Sequence, residues 1–267
     1  MTYQKNIDKG RWWNFGWQLV SGCDRVSPAC DNCWSLAMEH RYGISPEVKF
    51  HSERLAKPLK RKKPASYAVW NDLFHESVFF ESITQVCDIM VGTPRHQFLL
   101  LTKRPKRAIK YCKWWFDKSG ESPFSLNVSV GVTCENQKTA DERIPILLQI
   151  PAAKRFLSLE PLLGDVDLEN VTMQLPNSIS TVKGTVLGSN GRYFTPGGAK
   201  GTGVDWVIIG CESGAKRRLT KIEWIEHIVE QCRAAGVKVF VKQMEIDGKV
   251  EHDITKFPEH LQIREII

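Results

Sequence analysis

The sequence predicts an α/β fold whose parallel strands form a (β/α)8 barrel or an incomplete version of one. Eight short apolar segments alternate with segments of helical periodicity, which is typical of parallel strands joined by crossover helices. Charged or amide residues directly follow most of these strands, as they do at the mouth of a barrel. A chain of 267 residues, 42% of them hydrophobic, is long enough for such a domain. We therefore expect a single domain over residues 1–267.

The predicted strands are short and rich in β-branched and aromatic residues. In chain order they are Trp12–Val20, Val48–His51, Tyr67–Trp70, Gln97–Leu101, Asn127–Val132, Arg155–Leu159, Trp206–Ile209 and Lys238–Val241. Apolar residues at helical spacing predict helices from Asp31 to Gly43, over Ile83–Met90, up to about Phe116, over Ala140–Leu148 and over Ile225–Cys232. Residues 165–203, rich in Gly, Ser and Thr, interrupt this alternation and predict an irregular insertion with room for a hairpin.

Composition limits the function classes. The net charge of +7 favours a polyanionic partner, although charge alone does not identify one. We find no apolar run of about eighteen residues and no apolar stretch near Met1 that resembles a signal peptide. We therefore expect a cytoplasmic protein that does not cross a membrane, in a reducing compartment where eight cysteines are not a disulfide scaffold.

Three cysteines between predicted strand one and the first helix form the most informative motif. Cys23, Cys30 and Cys33 have the spacing CxxxxxxCxxC, and Gly22 and Pro28 bend the backbone around them. No fourth Cys or His follows at the short spacing of structural zinc sites. Three thiolates on a four-iron cluster would leave one iron open. The alternatives are zinc completed by a distant ligand, with Cys134 or Cys211 at strand ends as candidates, and three unrelated thiols.

Polar residues after the strands predict a ring around the same mouth. They are Asn71, Asp72, Lys103, Glu135, Glu160, Glu212, Lys242 and Gln243. Charged residues after strands are common in solvated loops, but the carboxyl ends of parallel strands would bring these together. Glu160 is the strongest candidate for a carboxylate held at the mouth and Glu212 the next, each able to pair with Lys103 or Lys242.

Several motifs together resemble a known family. The cysteine motif is accompanied by Asn71–His75, Leu101–Pro105, Ala140–Pro145, Glu160–Gly164, Gly210–Gly214 and Lys242–Gln243. In this order they resemble the phage-borne three-cysteine-motif protein family, which is itself similar to radical S-adenosylmethionine (SAM) enzymes. The resemblance covers Asn14 to Gln243 apart from the insertion.

The resemblance implies that Cys23, Cys30 and Cys33 hold a 4Fe-4S cluster with SAM on the fourth iron. An electron donor would reduce the cluster, and cleavage of SAM would give a deoxyadenosyl radical that abstracts hydrogen. We expect Glu160, Glu212 and Lys103 to be catalytic, and Asn71, Asp72, Glu135, Lys242 and Gln243 to bind the cofactor. The spacing differs from the commonest radical SAM motif, CxxxCxxC, by three extra residues, and Trp34 follows the last cysteine.

Two basic runs predict a rim that contacts nucleic-acid phosphates. The residues of the two runs are Lys57, Lys60, Arg61, Lys62, Lys63, Lys103, Arg104, Lys106, Arg107 and Lys110, and Arg25, Lys216, Arg217 and Arg218 would complete the rim. Such runs are usually solvated faces, but both adjoin segments expected near the mouth. We therefore expect an enzyme that modifies or repairs a nucleic acid or nucleotide. The alternatives are a non-catalytic nucleic-acid-binding protein with a structural metal site, and a metal-dependent hydrolase, for which clustered His ligands are missing. The sequence does not predict an oligomeric state.

Overall fold

The computed structural model describes residues 2–43, 45–174, 181–184, 186–187, 203–214 and 216–267. The strands are β1 (Phe15–Trp17), β2 (Val20–Ser21), β3 (Lys49–Phe50), β4 (Ser66–Val69), β5 (Gln97–Thr102), β6 (Val128–Thr133), β7 (Lys154–Leu159), β8 (Val171–Gln174), β9 (Thr181–Gly184), β10 (Trp206–Gly210), β11 (Lys238–Ile246) and β12 (Lys249–Glu251). The helices are α1 (Thr2–Asp8), α2 (Trp34–Tyr42), α3 (Phe80–Val91), α4 (Pro105–Ser119), α5 (Gln137–Leu147) and α6 (Ile222–Ala235).

A mostly parallel eight-stranded sheet forms the centre of this α/β fold. Its strand order is β1-β4-β5-β6-β7-β10-β11-β12. Every neighbouring pair is parallel except β11 and β12, which are antiparallel. Within the described residues no strand ladder joins β1 to β11, so the hydrogen-bonded sheet is open. The parallel α/β prediction is confirmed at this level.

The prediction that Val48–His51 is a strand of the parallel sheet is wrong. Lys49–Phe50 pairs antiparallel with Val20–Ser21 and lies outside the central sheet. The reason lies in the first predicted strand, which breaks after Trp17: the Leu19 N–H bonds back to Trp17 O, and His51 donates to Leu19 O. A separate two-stranded antiparallel ladder of β2 and β3 therefore takes residues that the sequence assigned to two sheet strands.

Apolar residues on the two faces of the sheet form two separate cores. On one face the helices pack with residues such as Ile83 and Met90 of α3 and Ile225 and Cys232 of α6, which are fully buried. On the other face lies a smaller cluster of residues from α1, the segment before β1 and five of the sheet strands: Ile7, Trp12, Ala68, Leu99, Phe156, Trp206, Ile208 and Phe240. Because side chains alternate across a strand, these two sets come from interleaved positions.

The chain termini are tied to the sheet by one arginine. Arg264 Nη1 donates to Ile7 O and Asp8 O at 2.8 and 2.7 Å, and Nη2 donates to Lys242 O and His252 O at 3.0 and 2.7 Å. Helix α1 is in turn joined to the segment before β1, because Asn6 Nδ2 donates to Trp13 O and Asn14 O. The ends of the chain thus connect β11 with the region preceding β1.

The predicted hairpin in the insertion is confirmed. Strands β8 and β9 pair antiparallel, with Val171 opposite Gly184. Most of the insertion beyond Gly184, including its glycine-rich end, lies outside the described residues. In the described part of the chain, no helix has the length and apolar character needed to span a membrane.

Candidate functional site

A cavity of about 260 Å³ opens where the parallel strands end. Its wall contains all three motif cysteines and seven of the eight residues of the predicted ring: Asn71, Asp72, Lys103, Glu160, Glu212, Lys242 and Gln243. The wall also includes apolar and aromatic side chains, among them Trp12 and Trp70. The parallel topology thus gathers side chains that are far apart in the sequence.

The cysteine motif occupies a loop between β2 and α2. Cys30 is buried, Cys23 and Cys33 are half-buried, and all three thiols are free. A fourth free thiol, Cys211, lines the same cavity, and burial raises its pKa to about 12. Among the described residues, no three Cys, His, Asp or Glu side chains converge closely enough to form a metal-binding group. The donor set itself fits a soft metal centre, because three or four thiols of one cavity are the ligands that iron–sulfur clusters and zinc use.

The loop begins at a glycine that no other residue can easily replace. Gly22 has φ +72°, and a Cβ placed on it would lie 2.3 Å from Glu47 O. Asn71, at the end of β4, also has a positive φ of 59° and donates to Gly22 O at 3.4 Å. Its Oδ1 accepts from Ser35 Oγ at 3.1 Å. Asn71 therefore connects β4 with both ends of the loop, a role for which its tolerance of left-handed backbone suits it.

A buried arginine fixes the first part of the loop. Arg104 donates to Asp24 Oδ1 at 2.5 Å, to Asp72 Oδ2 at 3.2 Å and to Glu76 Oε2 at 2.8 Å. Its Nη1 also lies 3.9 Å from Cys23 Sγ. Burial raises the pKa of Cys23, and the positive charge of Arg104 opposes that rise. Arg104 therefore holds Asp24 and places a cation beside the neighbouring thiol.

A second arginine fixes the part of the loop that carries Cys30 and Cys33. Glu212 is 4% exposed and accepts from Arg218 Nη2 at 2.5 Å, from Arg218 N–H at 2.7 Å and from Asn32 Nδ2 at 3.0 Å. Arg218 Nη2 also donates to Pro28 O at 2.9 Å. Burial disfavours the charge of Glu212, but the hydrogen bonds from Arg218 and Asn32 outweigh it and lower the pKa. Both oxygens of Glu212 are thus engaged in holding the loop.

The charged groups of the cavity that do not hold the cysteine loop are one ion pair, Lys242 with Glu160, and the cation Lys103. Lys242 Nζ lies 2.8 Å from Glu160 Oε1, and Glu160 is 12% exposed. The structure describes no ion-pair partner for the ammonium of Lys103, which lines the same cavity. The Nε1 of buried Trp12 likewise has no hydrogen-bond partner among the described residues. These groups can bind a ligand that carries both carboxylate and amino groups.

Two residues of the predicted cofactor set, Asp72 and Glu135, form ion pairs with arginines of the protein itself. Asp72 accepts from Thr102 Oγ1 at 2.7 Å, from the Lys103 N–H at 3.1 Å and from Arg104. Glu135 is not among the described residues that line the cavity: it is completely buried and pairs with Arg143 at 3.0 Å. The prediction that Glu135 faces the mouth is wrong because its side chain is directed to α5. Gln243 lines the cavity and donates to Cys211 O at 2.7 Å.

The predicted nucleic-acid rim does not form as one surface. Arg104 is buried among carboxylates, and Arg107 donates to Val78 O at 2.8 Å and lies over the Phe80 ring. The first run, from Lys57 to Lys63, lies beside Phe15 and Tyr67 in a separate depression. Those two residues are paired near the amino-terminal ends of β1 and β4, away from the cavity. Of the rim residues, Lys103 and the buried Arg104 line the cavity, and Lys106 is exposed.

The helix after the motif has an exposed apolar surface. Its start is later than the predicted N-cap Asp31, and Trp34 and Tyr42 are 50% and 63% exposed. The Trp34 ring contacts Trp70 edge to face at 5.3 Å between centroids, and both line the cavity. The apolar residues whose spacing predicts this helix are therefore not all packed in the core, and one of them, Trp34, lies at the mouth of the cavity.

Sequence reasoning missed the residues that position the loop. Asp24, Asn32 and Arg218 make the contacts that hold it, yet the sequence indicates Arg218 only as a cation of the basic rim and gives Asp24 and Asn32 no role. Asp24 and Asn32 adjoin the cysteines, which is a signal that a search of the motif's flanks could have used. Arg218 contacts a carboxylate six positions away across a turn after β10, and only the folded chain shows that this brings it to Pro28.

Fold and site together define an α/β protein with a thiol-lined cavity at the carboxyl ends of parallel strands. The chain belongs to the family described as "Protein of unknown function (DUF5131)", whose model matches residues 8–260. Neither the curated proteins nor the solved structures contain a match to the chain.

Proposed function

We propose that this protein is an iron–sulfur enzyme of the radical SAM type that modifies or repairs a nucleic acid or nucleotide. The observation that carries the proposal is the shared cavity, where three free thiols meet Lys103, Glu160 and Lys242 at the ends of parallel strands. The fold would then be an incomplete (β/α) barrel. An external electron donor and a cytoplasmic location belong to the same proposal.

Cys23, Cys30 and Cys33 would hold the 4Fe-4S cluster. When bound, the cluster would supply the electron that cleaves SAM, and the resulting deoxyadenosyl radical would abstract hydrogen from the substrate. Arg104, 3.9 Å from Cys23 Sγ, would offset the negative charge of the thiolates, and the Glu212–Arg218 pair would keep the Cys30–Cys33 turn in place.

The remaining cavity residues would bind and orient the organic ligands. Glu160 can accept hydrogen bonds from an amino group, while Lys103 and Lys242 can pair with a carboxylate or phosphate. Trp12 and Trp70 would exclude water from one side of the cavity. The half-exposed Trp34 at the mouth offers a ring on which a base can stack.

The test is release of deoxyadenosine. Protein prepared without oxygen, loaded with iron and sulfide and then reduced in the presence of SAM is expected to form it, and Cys30→Ala should abolish the product. Cys232→Ala, a change of the same kind in the helix core, should retain it. Protein that carries iron and sulfide but forms no deoxyadenosine would exclude the radical mechanism.

A second function is favoured by the position of Cys211. This thiol lines the cavity with the three motif cysteines and would supply the fourth ligand that a closed tetrahedral zinc site needs. The protein would then bind nucleic acid without turnover. Cys211→Ser separates the two functions: it should remove the metal from a four-thiolate zinc site and leave a three-cysteine iron–sulfur site loaded.

A further inference from the structure

A second concave surface of the protein is strongly basic. It is a shallow depression of about 380 Å³, formed by Phe15 and Tyr67 together with five cations: Lys57, Lys60, Arg61, Lys62 and Lys63. It shares no lining residue with the cavity at the strand ends. The two surfaces therefore cannot be parts of one binding pocket.

The positive charge of this depression is not neutralised by the protein. No acidic residue lines it, and none of its five cations has an ion-pair partner in the part of the chain that the structure describes. The arginines at the cavity differ, because Arg104 contacts three carboxylates and Arg218 contacts two. Five like charges on one concave surface create a potential that concentrates anions.

Residues just before β5 hold the backbone of the depression in place. Arg95 donates from Nε to Arg61 O at 3.0 Å, and His96 Nε2 bonds to Pro58 O at 3.1 Å. The Arg61 guanidinium lies 4.7 Å from the centre of the Phe15 ring. These contacts fix the backbone between Pro58 and Arg61 and the side chain of Arg61, so the depression is formed before any ligand binds.

We propose that this depression is a second nucleic-acid-binding site that recognises the phosphate backbone. Its shallow form suits an extended polyanion better than an enclosed small molecule. Leu59 is the one exposed large apolar side chain of the 57–63 run, which is little area for insertion into a membrane surface. The site requires no metal, and it stands whether or not the cavity is catalytic.

The test measures nucleic-acid binding without iron, SAM or reductant. Anisotropy of a labelled single strand of about 30 nucleotides is followed between about 50 and 200 mM salt. The triple variant K60Q/K62Q/K63Q is expected to weaken binding about tenfold to a hundredfold at low salt and to reduce the slope of log K against log salt by about 2–3. These three lysines are exposed or outside the core, so the variant should fold, which circular dichroism checks.

The matched control is K113Q/K138Q/K249Q, which removes the same charge from exposed positions elsewhere. It should bind like the unmodified protein. Equal losses in the two triple variants, no binding by the unmodified protein, or tighter binding to phosphatidylserine vesicles than to the strand would each overturn the proposal. Failure of deoxyadenosine release would leave this result unaffected, so the two proposals fail separately.

Discussion

At the scale of single residues, two arginines determine the shape of the cysteine loop. Arg104 holds Asp24 beside Cys23, and Arg218 together with Glu212 holds the turn between Cys30 and Cys33. Both arginines belong to loops that follow sheet strands, so the loop is fixed by the ends of β5 and β10. Such supporting contacts commonly orient the ligands of a metal site.

Glu212→Gln is expected to loosen the loop, because it removes the negative charge that holds Arg218. The free energy of unfolding should fall by about 1–3 kcal/mol, measured by urea denaturation. Iodoacetamide should modify Cys33 faster than in the unmodified protein. Glu160→Gln is the matched control, since its ion-pair partner Lys242 lies on β11 and makes no recorded contact with the loop. An unchanged labelling rate at Cys33 in Glu212→Gln would argue against the anchoring role.

Thiol reactivity should separate the loop from the core. Burial raises the pKa of Cys87, Cys112 and Cys232 to about 12. Only the thiolate reacts, so at pH 8 about one in ten thousand of these thiols is reactive even before access is considered. In metal-free native protein, iodoacetamide should therefore modify the half-buried Cys23 and Cys33 first, as mass spectrometry of peptides can show. Rapid modification of the three core thiols would contradict the described packing.

At the scale of elements, the ends of β7, β10 and β11 act together. The Glu160 carboxylate extends from the end of β7 across Gly210 of β10 to Lys242 of β11. A Cβ at Gly210 would lie 2.7 Å from Glu160 Oε1. Because Gly210 has no side chain, the ion pair between Glu160 and Lys242 can form across β10.

Gly210→Ala is expected to displace Glu160 and break its pair with Lys242. Crowding of this kind typically lowers the free energy of unfolding by about 1–3 kcal/mol, which chemical denaturation measures. Gly164→Ala is the control, because its new Cβ would lie 3.5 Å from the nearest atom, Asn136 Cβ, at ordinary contact distance. Equal stability of the two variants would show that Gly210 is not needed for the arrangement.

At the scale of the whole molecule, the open sheet is joined to both chain termini. Arg264 is the connecting side chain, because it donates to carbonyls of α1, of β11 and of His252. The C-terminal segment also pairs with β11, where Phe240 lies opposite Arg264. Helix α1 and the segment that contains Arg264 are therefore both bound to β11.

Arg264→Met should lower the free energy of unfolding by about 1–3 kcal/mol, because it leaves several carbonyls without their donor. Urea denaturation measures the change. Arg233→Met serves as the comparison, since its recorded hydrogen bond is a single contact to His260 O, and it should cost less. A smaller loss for Arg264→Met than for Arg233→Met would contradict the connecting role.

The sequence predicted the parallel sheet well, because alternation of apolar and helical segments is a local property of the chain. Seven of eight predicted strands lie in the sheet, and all but one of the polar residues predicted to follow them at the mouth line one cavity. The errors arose where distant contacts decide the outcome. Val48–His51 pairs with the broken first strand, Glu135 is buried by Arg143, and Lys57–Lys63 lies at the amino-terminal ends of its strands.

The proposed function depends on an iron–sulfur cluster held by Cys23, Cys30 and Cys33. The most direct measurement is the iron, acid-labile sulfide and zinc content of protein purified without oxygen, compared with its Cys23→Ala/Cys30→Ala/Cys33→Ala variant. We predict about four iron and four sulfide per chain in the unmodified protein and neither in the variant. Zinc in place of iron and sulfide, or iron and sulfide that persist in the variant, would contradict the claim.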